Sequence, residues 1–246
     1  MWLFSLVSEQ IDSNKTVGVL GGMGPAATVD FMATVIAFTP AETDQDHIHM
    51  LVDNDPKIPA RQDAILRDGA DPGPAMAVMA KRLRDAGADF LVMPCNTAHA
   101  FASQVTAAVD IPLLSIIDVT VAACGAFDKV GLLATEGCLR SSVYQDAFEQ
   151  IENELLLPSE DELRDFMDLT FRIKRGDKGE DVAAGMLRLA NALQERGAQA
   201  IIAGCTEIPL VLHESMLDIP LVSSTDELAK HTIAYARGEK LPAEKE

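Results

Sequence analysis

Phe90 to His99 reads FLVMPCNTAH, and Ala200 to Pro209 reads AIIAGCTEIP. The two stretches are copies of one arrangement, with Cys95 and Cys205 standing 110 residues apart (95 to 205). Each copy begins with a glycine that closes a helical pattern, runs through a short apolar segment, and reaches a cysteine followed by polar residues. At that offset Gly87 falls on Gly197 and Ala88 on Ala198, while the preceding helical face Met76, Met79, Leu83 falls on Met186, Leu189, Leu193. Two further features recur in the same order. IPLLS at 111–115 returns as IPLVS at 219–223, and VGVLGGMG at 17–24 returns as VGLLATEG at 130–137. Three features repeated in order at nearly one offset indicate an internal duplication. Strand and helix patterns alternate in each half, which favours parallel sheets. The expected fold class is therefore α/β, two pseudosymmetric lobes, each a parallel sheet flanked by helices. Residues 1–117 with 225–246 form the first lobe, carrying Cys95, and residues 118–224 form the second, carrying Cys205.

Composition narrows the function. The chain has 246 residues, 48% of them hydrophobic, enough for one large core or two smaller lobes. A formal net charge of −18 argues against a nucleic-acid or anionic-membrane partner. The apolar opening WLFSLV is too short for a signal-peptide core and lacks a basic flank, and residues 1–15 read as an extension without a role. A cytoplasmic protein without a membrane span is expected. In that compartment Cys95, Cys124, Cys138 and Cys205 are expected as free thiols.

Read in order, Thr16 to Leu20 is a buried parallel strand that enters the loop GGMGPAAT and a helix start. Gly22, Gly24 and Ala27 satisfy a dinucleotide-type G-x-G-x-x-A spacing, but the nearest candidate acid, Asp53, comes too late. A loop whose backbone N–H groups receive a small carboxylate suits the same residues better. His47 to Val52 reads as the second strand, with His47 and His49 on one face; no other ligand-spaced cluster supports a metal, and none is expected. Arg61 follows in a proline-punctuated loop on the same edge as the glycine loop. Asn96 and Thr97 turn the chain after Cys95 into another helix. Backbone N–H groups and a positive dipole end at such a turn lower a cysteine pKa from about 8.5 towards neutrality. The acidic stretch Glu149 to Asp168 reads as a solvated face in which Pro158 and Ser159 separate two helices.

Equivalent residues of two facing lobes approach a ligand from opposite sides. One cysteine removing a proton from carbon while the other delivers one to the opposite face would invert configuration. A general base must lie within about 3 Å of its proton, with a pKa near working pH, a demand thiols meet well. No lysine motif for pyridoxal phosphate is present and no cofactor is expected. Carbanion stabilisation then falls to hydrogen-bond donors, for which Asn96, Thr97, Thr135, Thr206 and the glycine-loop amides around Gly24 are candidates.

GGMGP, PCNTAH and GCTEIPL together resemble the aspartate/glutamate racemase family, on the cofactor-independent aspartate racemase side, over roughly residues 16–230. The resemblance implies a two-lobed fold, a cleft with Cys95 and Cys205 as catalytic acid and base, an acidic amino acid as substrate, and a homodimer. It carries Asn96, Thr97 and Thr206 as carboxylate-binding positions and Met23 as a cleft wall. DPKIPAR resembles the loop whose arginine, here Arg61, meets the substrate's side-chain carboxylate, and FRIKRG the segment whose lysine, here Lys174, shares that task. Two departures stand out. Cys138 occupies a position usually held by threonine, and Glu207 follows Cys205-Thr206 where glutamate racemases tend to carry histidine, which favours aspartate-type chemistry. A cysteine-dependent isomerase or decarboxylase of small dicarboxylates, and a binding protein that has lost turnover, are the alternatives.

Overall fold

The computed structural model describes residues 14–239, so the extension of residues 1–15 lies almost wholly outside them. Two four-stranded parallel sheets carry the fold. In the first, β1 (Val17–Gly21), β2 (Met50–Asn54), β3 (Phe90–Val92) and β4 (Leu113–Leu114) run in the order β2-β1-β3-β4. In the second, β5 (Lys129–Leu133), β6 (Glu154–Leu156), β7 (Ala200–Ala203) and β8 (Leu221–Ser223) run in the order β6-β5-β7-β8. The two orders are the same once each strand is matched with its repeat. The helices follow in step: α1 (Pro25–Phe38), α2 (Arg61–Leu66), α3 (Gly73–Asp85), α4 (Ala102–Thr106) and α5 (Ile116–Ala123) come before β5. α6 (Glu136–Arg140), α7 (Val143–Phe148), α8 (Glu160–Lys174), α9 (Glu180–Glu195) and α10 (Ser224–Ala236) come after it.

Strands covered on both faces need apolar residues at every position, which is why these read as continuous runs. Val17, Val19, Phe90 and Val92 of the first sheet share one core with Val130, Leu132, Ala200 and Ile202 of the second, joined through Ile116 and Val119 of α5 and Leu228 and Ile233 of α10. The alternate faces look outward. Leu20 and Leu91 pack beneath Met76, Met79 and Leu83 of α3, and Leu133 and Ile201 beneath Met186, Leu189 and Leu193 of α9. The helical triads matched in the sequence thus occupy equivalent places. Capping is duplicated too: Ser115 Oγ accepts from the N–H of Asp118 and Ser223 Oγ from that of Asp226, each at 3.2 Å, starting α5 and α10. α10 packs on α1 and α5, and the Arg237 guanidinium at its end donates to the Pro40 carbonyl at 2.8 Å.

Two expectations need correction. β2 begins at Met50, because its pairing with β1 sets Met50 opposite Val17, so His47 and His49 lie before the strand rather than on it. The acidic stretch contains β6, an edge strand beside β5, and only then α8, whose N-cap Ser159 forms a capping box with Glu162. Pro158 therefore separates a strand from a helix. No helix among the described residues is long and apolar enough to cross a membrane.

Candidate active site

Parallel strands leave their following loops at one end of the sheet, and ligands of such sheets bind there. Here the loops after β1, β3, β5 and β7 close around a cavity of about 430 Å3. Met23, Arg61, Cys95, Asn96 and Thr97 line it from the first half of the chain, and Thr135, Lys174, Cys205, Thr206 and Glu207 from the second. Of the sequence candidates only Gly24 lies outside this wall. It borders an adjoining cavity of about 600 Å3 that shares Arg61, Lys174 and Glu207 with the first. Leu66, Met167 and Phe171 add an apolar side that the sequence did not single out.

The glycine loop depends on its first residue. Gly22 has φ +90, and a Cβ there would stand 2.2 Å from the Asp55 carbonyl oxygen, so the tight turn after β1 requires glycine. Its N–H donates to Thr28 Oγ1 at 2.9 Å, tying the loop to α1. Asp53 is held by Arg82 at 2.6 Å, in an ion pair on β2.

Both cysteines are nearly enclosed, Cys95 at 7% and Cys205 at 6% exposure. After Cys95 the chain turns into helix as expected, a 3-10 segment at Thr97–Phe101 running directly into α4 at Ala102–Thr106, whereas Cys205 is followed by a single 3-10 turn at Ile208–Leu210. The acidity of Cys205 is set by its surroundings. Burial foremost, and then the Glu207 carboxylate, push its thiol well above the usual range, with Lys174 pulling the other way. Geometry agrees: Cys205 Sγ donates to Glu207 Oε2 at 2.9 Å. The other oxygen of Glu207 is bonded to Lys174 Nζ. Burial opposes the charge of Lys174, but Glu207 and Cys205 outweigh it and hold the ammonium above its ordinary pKa. The Arg61 guanidinium holds three carbonyls, those of Pro59 at 3.0 Å, Met23 at 3.1 Å and Ile58 at 3.3 Å.

The hydroxyls of Thr97 and Thr135 meet across the cavity at 2.8 Å. Asn96 is engaged behind the wall, accepting from the Tyr144 hydroxyl at 2.7 Å and donating to Ser224 Oγ at 3.0 Å. His99, buried, receives the Ile116 N–H on Nε2 at 3.2 Å, so its proton sits on Nδ1 and is donated to the Cys95 carbonyl at 3.0 Å. Burial lowers its pKa to about 4, and it stays neutral at ordinary pH. His99 lay in plain view in PCNTAH. Tyr144 and Ser224 carried no motif. Cys138 lies behind the wall in α6 and is buried, its thiol pushed up first by burial and then by the neighbouring Cys95.

Two equivalent parallel sheets, each presenting a cysteine loop to one cavity, define a two-lobed α/β fold with a single shared site. The sequence matches the Asp/Glu/Hydantoin racemase family over residues 20–232, and the chain belongs to that family. It is an isomerase, an amino-acid racemase. Among curated proteins it is similar to the broad specificity amino-acid racemase RacX of Bacillus subtilis, 29% identical over 89% of this chain and 96% of that one. Among solved structures it is similar to the aspartate racemase of Picrophilus torridus, with a TM-score of 0.83, 29% identity, and 93% and 96% of the two chains covered. A glutamate racemase of Francisella tularensis in complex with D-glutamate, at 19% identity and a TM-score of 0.66, shares the fold.

Proposed function

We propose that the chain interconverts L- and D-aspartate without a cofactor, by two-base proton transfer between Cys95 and Cys205. The observation that carries this reading is the pair itself: two nearly enclosed cysteines, from equivalent loops of duplicated sheets, bordering one cavity. In the reaction a thiolate takes the α-proton. The C–H bond breaks, its electron pair stays on carbon and spreads into the carboxylate, and an S–H bond forms. The opposite S–H then gives its proton to the other face of the carbon and is left as thiolate. Configuration is inverted, no proton is gained or lost, and the two cysteines have exchanged roles. Burial and Glu207 favour the protonated form of Cys205, which suits it to the acid's role.

The Thr97 and Thr135 hydroxyls, which bond each other at the cavity wall, are available to a substrate carboxylate, with Thr206, Asn96 and the loop from Met23 to Gly24 around them. Arg61 and Lys174 supply positive charge for a side-chain carboxylate. One observation favours a second, broader reading of the substrate. Lys174 is already bonded to Glu207, Arg61 to three carbonyls, and Leu66, Met167 and Phe171 form an apolar side, a setting that also accepts neutral side chains. RacX, named for broad specificity, supports it.

The proposal includes a homodimer, which would cover Val29 and Ile36 on the outer face of α1, 60% and 50% exposed. It also keeps the lobe boundaries at residues 117 and 225. Thiols that must stay reduced suit a reducing compartment, and a cytoplasmic location belongs to the same reading. A chiral assay over aspartate, glutamate and neutral amino acids, without added cofactor, tests the activity. Cys95→Ala and Cys205→Ala should each abolish racemisation in both directions. Near wild-type racemisation by either variant would remove that cysteine from the chemistry.

A further inference from the structure

Asn96 stands next to Cys95, and Ala203 two residues before Cys205. A buried hydrogen-bond chain joins them. The Tyr144 hydroxyl donates to Asn96 Oδ1 at 2.7 Å, Asn96 Nδ2 donates to Ser224 Oγ at 3.0 Å, and Ser224 Oγ donates to the Ala203 carbonyl at 2.8 Å. Tyr144 and Ser224 are wholly enclosed and Asn96 is 2% exposed. Each bond is directional, and breaking one would strand a polar group out of reach of water, so the chain has a single low-energy arrangement. It also crosses the molecule: Asn96 follows β3, Tyr144 belongs to α7, Ser224 opens α10 and Ala203 ends β7. Ser224 is the joint, since its one hydroxyl accepts from the loop of one cysteine and donates to the strand that leads to the other.

We infer that Tyr144, Asn96 and Ser224 are positioning residues that set the separation and facing of the two thiols. In this role the Asn96 side chain acts on Cys95 through the backbone. The inference rests on the two-cysteine reading. Two-base inversion is sensitive to this separation, because acid and base must both be within hydrogen-bond reach of one carbon, and a displacement of about 1 Å can cost roughly a hundredfold. Loosening the chain leaves each thiol intact but takes the delivering thiol out of line. The carbanion is then reprotonated by the thiol that made it, on the original face.

The readout is where deuterium goes when one enantiomer is incubated in deuterated water and sampled early. Delivery from the opposite face labels the product enantiomer; return from the original face, after that thiol exchanges with solvent, labels the recovered starting enantiomer. Ser224→Ala and the milder Tyr144→Phe should slow racemisation about ten- to hundredfold. The label in recovered starting material, relative to product, should rise about tenfold. Val182→Ala, in the buried face of α9, serves as a stability-matched control and should keep the wild-type ratio. If Ser224→Ala and Tyr144→Phe keep the wild-type ratio, whatever their rate, the positioning role is overturned. If the wild type itself labels both enantiomers equally from the start, it is the two-cysteine reading that fails, which separates the two failures.

Discussion

His99 shows how a residue outside the chemistry serves the site. It bridges the Cys95 carbonyl and the first amide of α5 as a neutral ring. Its pKa, about 4 when folded, lies below the ordinary 6.5, so the unfolded chain takes up its proton first as pH falls. Stability should therefore be complete above about pH 6.5 and be lost as pH falls towards 4, by about 3 kcal/mol in total from this group. Denaturant unfolding between pH 4 and 7, compared with His99→Gln, isolates the contribution, and the variant should lack that part of the slope. Equal slopes would show that His99 is not held neutral. The motif PCNTAH exposed this histidine to sequence reading, but not its partner, because the Ile116 amide lies 17 residues on and reaches it only through the fold. Cys205 was legible as a residue, but its surroundings were not. The bond from its thiol to the Glu207 carboxylate two residues later appears only in the fold.

At the scale of elements, the duplication was legible because each repeat needs the same side chains for the same contacts. Gly18 and Gly131 illustrate it. A Cβ at Gly18 would meet Leu91 Cδ2 at 2.7 Å, and one at Gly131 would meet Ile201 Cδ1 at 2.8 Å, so in both lobes a glycine lets the neighbouring strand and the covering helix close on the sheet. Gly18→Ala and Gly131→Ala should each cost about 1–3 kcal/mol by overpacking, read as a shift in the denaturant midpoint. A neutral result at either position would mean that its sheet face is looser than the contacts indicate. β6 escaped the sequence reading because ELL is short, sits at a sheet edge, and is embedded among acidic residues that read as a solvated face. β2 was found but shifted, since apolar character begins at Ile48 and only pairing with β1 fixes where the strand starts.

The whole molecule joins a strongly negative chain to a site proposed for an anionic substrate. At −18 the protein repels an amino acid of net negative charge at long range, and Lys174 and Arg61 act only nearby. Raising ionic strength from about 0.01 M to 0.15 M shortens the Debye length from about 30 Å to 8 Å. On this account kcat/KM for aspartate should rise with salt while that for a neutral amino acid stays level; parallel responses would count against the acidic substrate. The facing of two lobes could be argued from the repeat, but the buried chain through Ser224 could not, because it joins residues 128 positions apart. What the account turns on is that one lobe removes a proton and the other supplies a different one. The direct measurement is the early distribution of deuterium when the wild-type protein converts one pure enantiomer in deuterated water, followed by chiral separation and mass spectrometry. The account predicts deuterium at the α-carbon of essentially all product, with the unreacted enantiomer still carrying hydrogen. Equal labelling of both enantiomers from the earliest samples, or product that retains the original hydrogen, would contradict it.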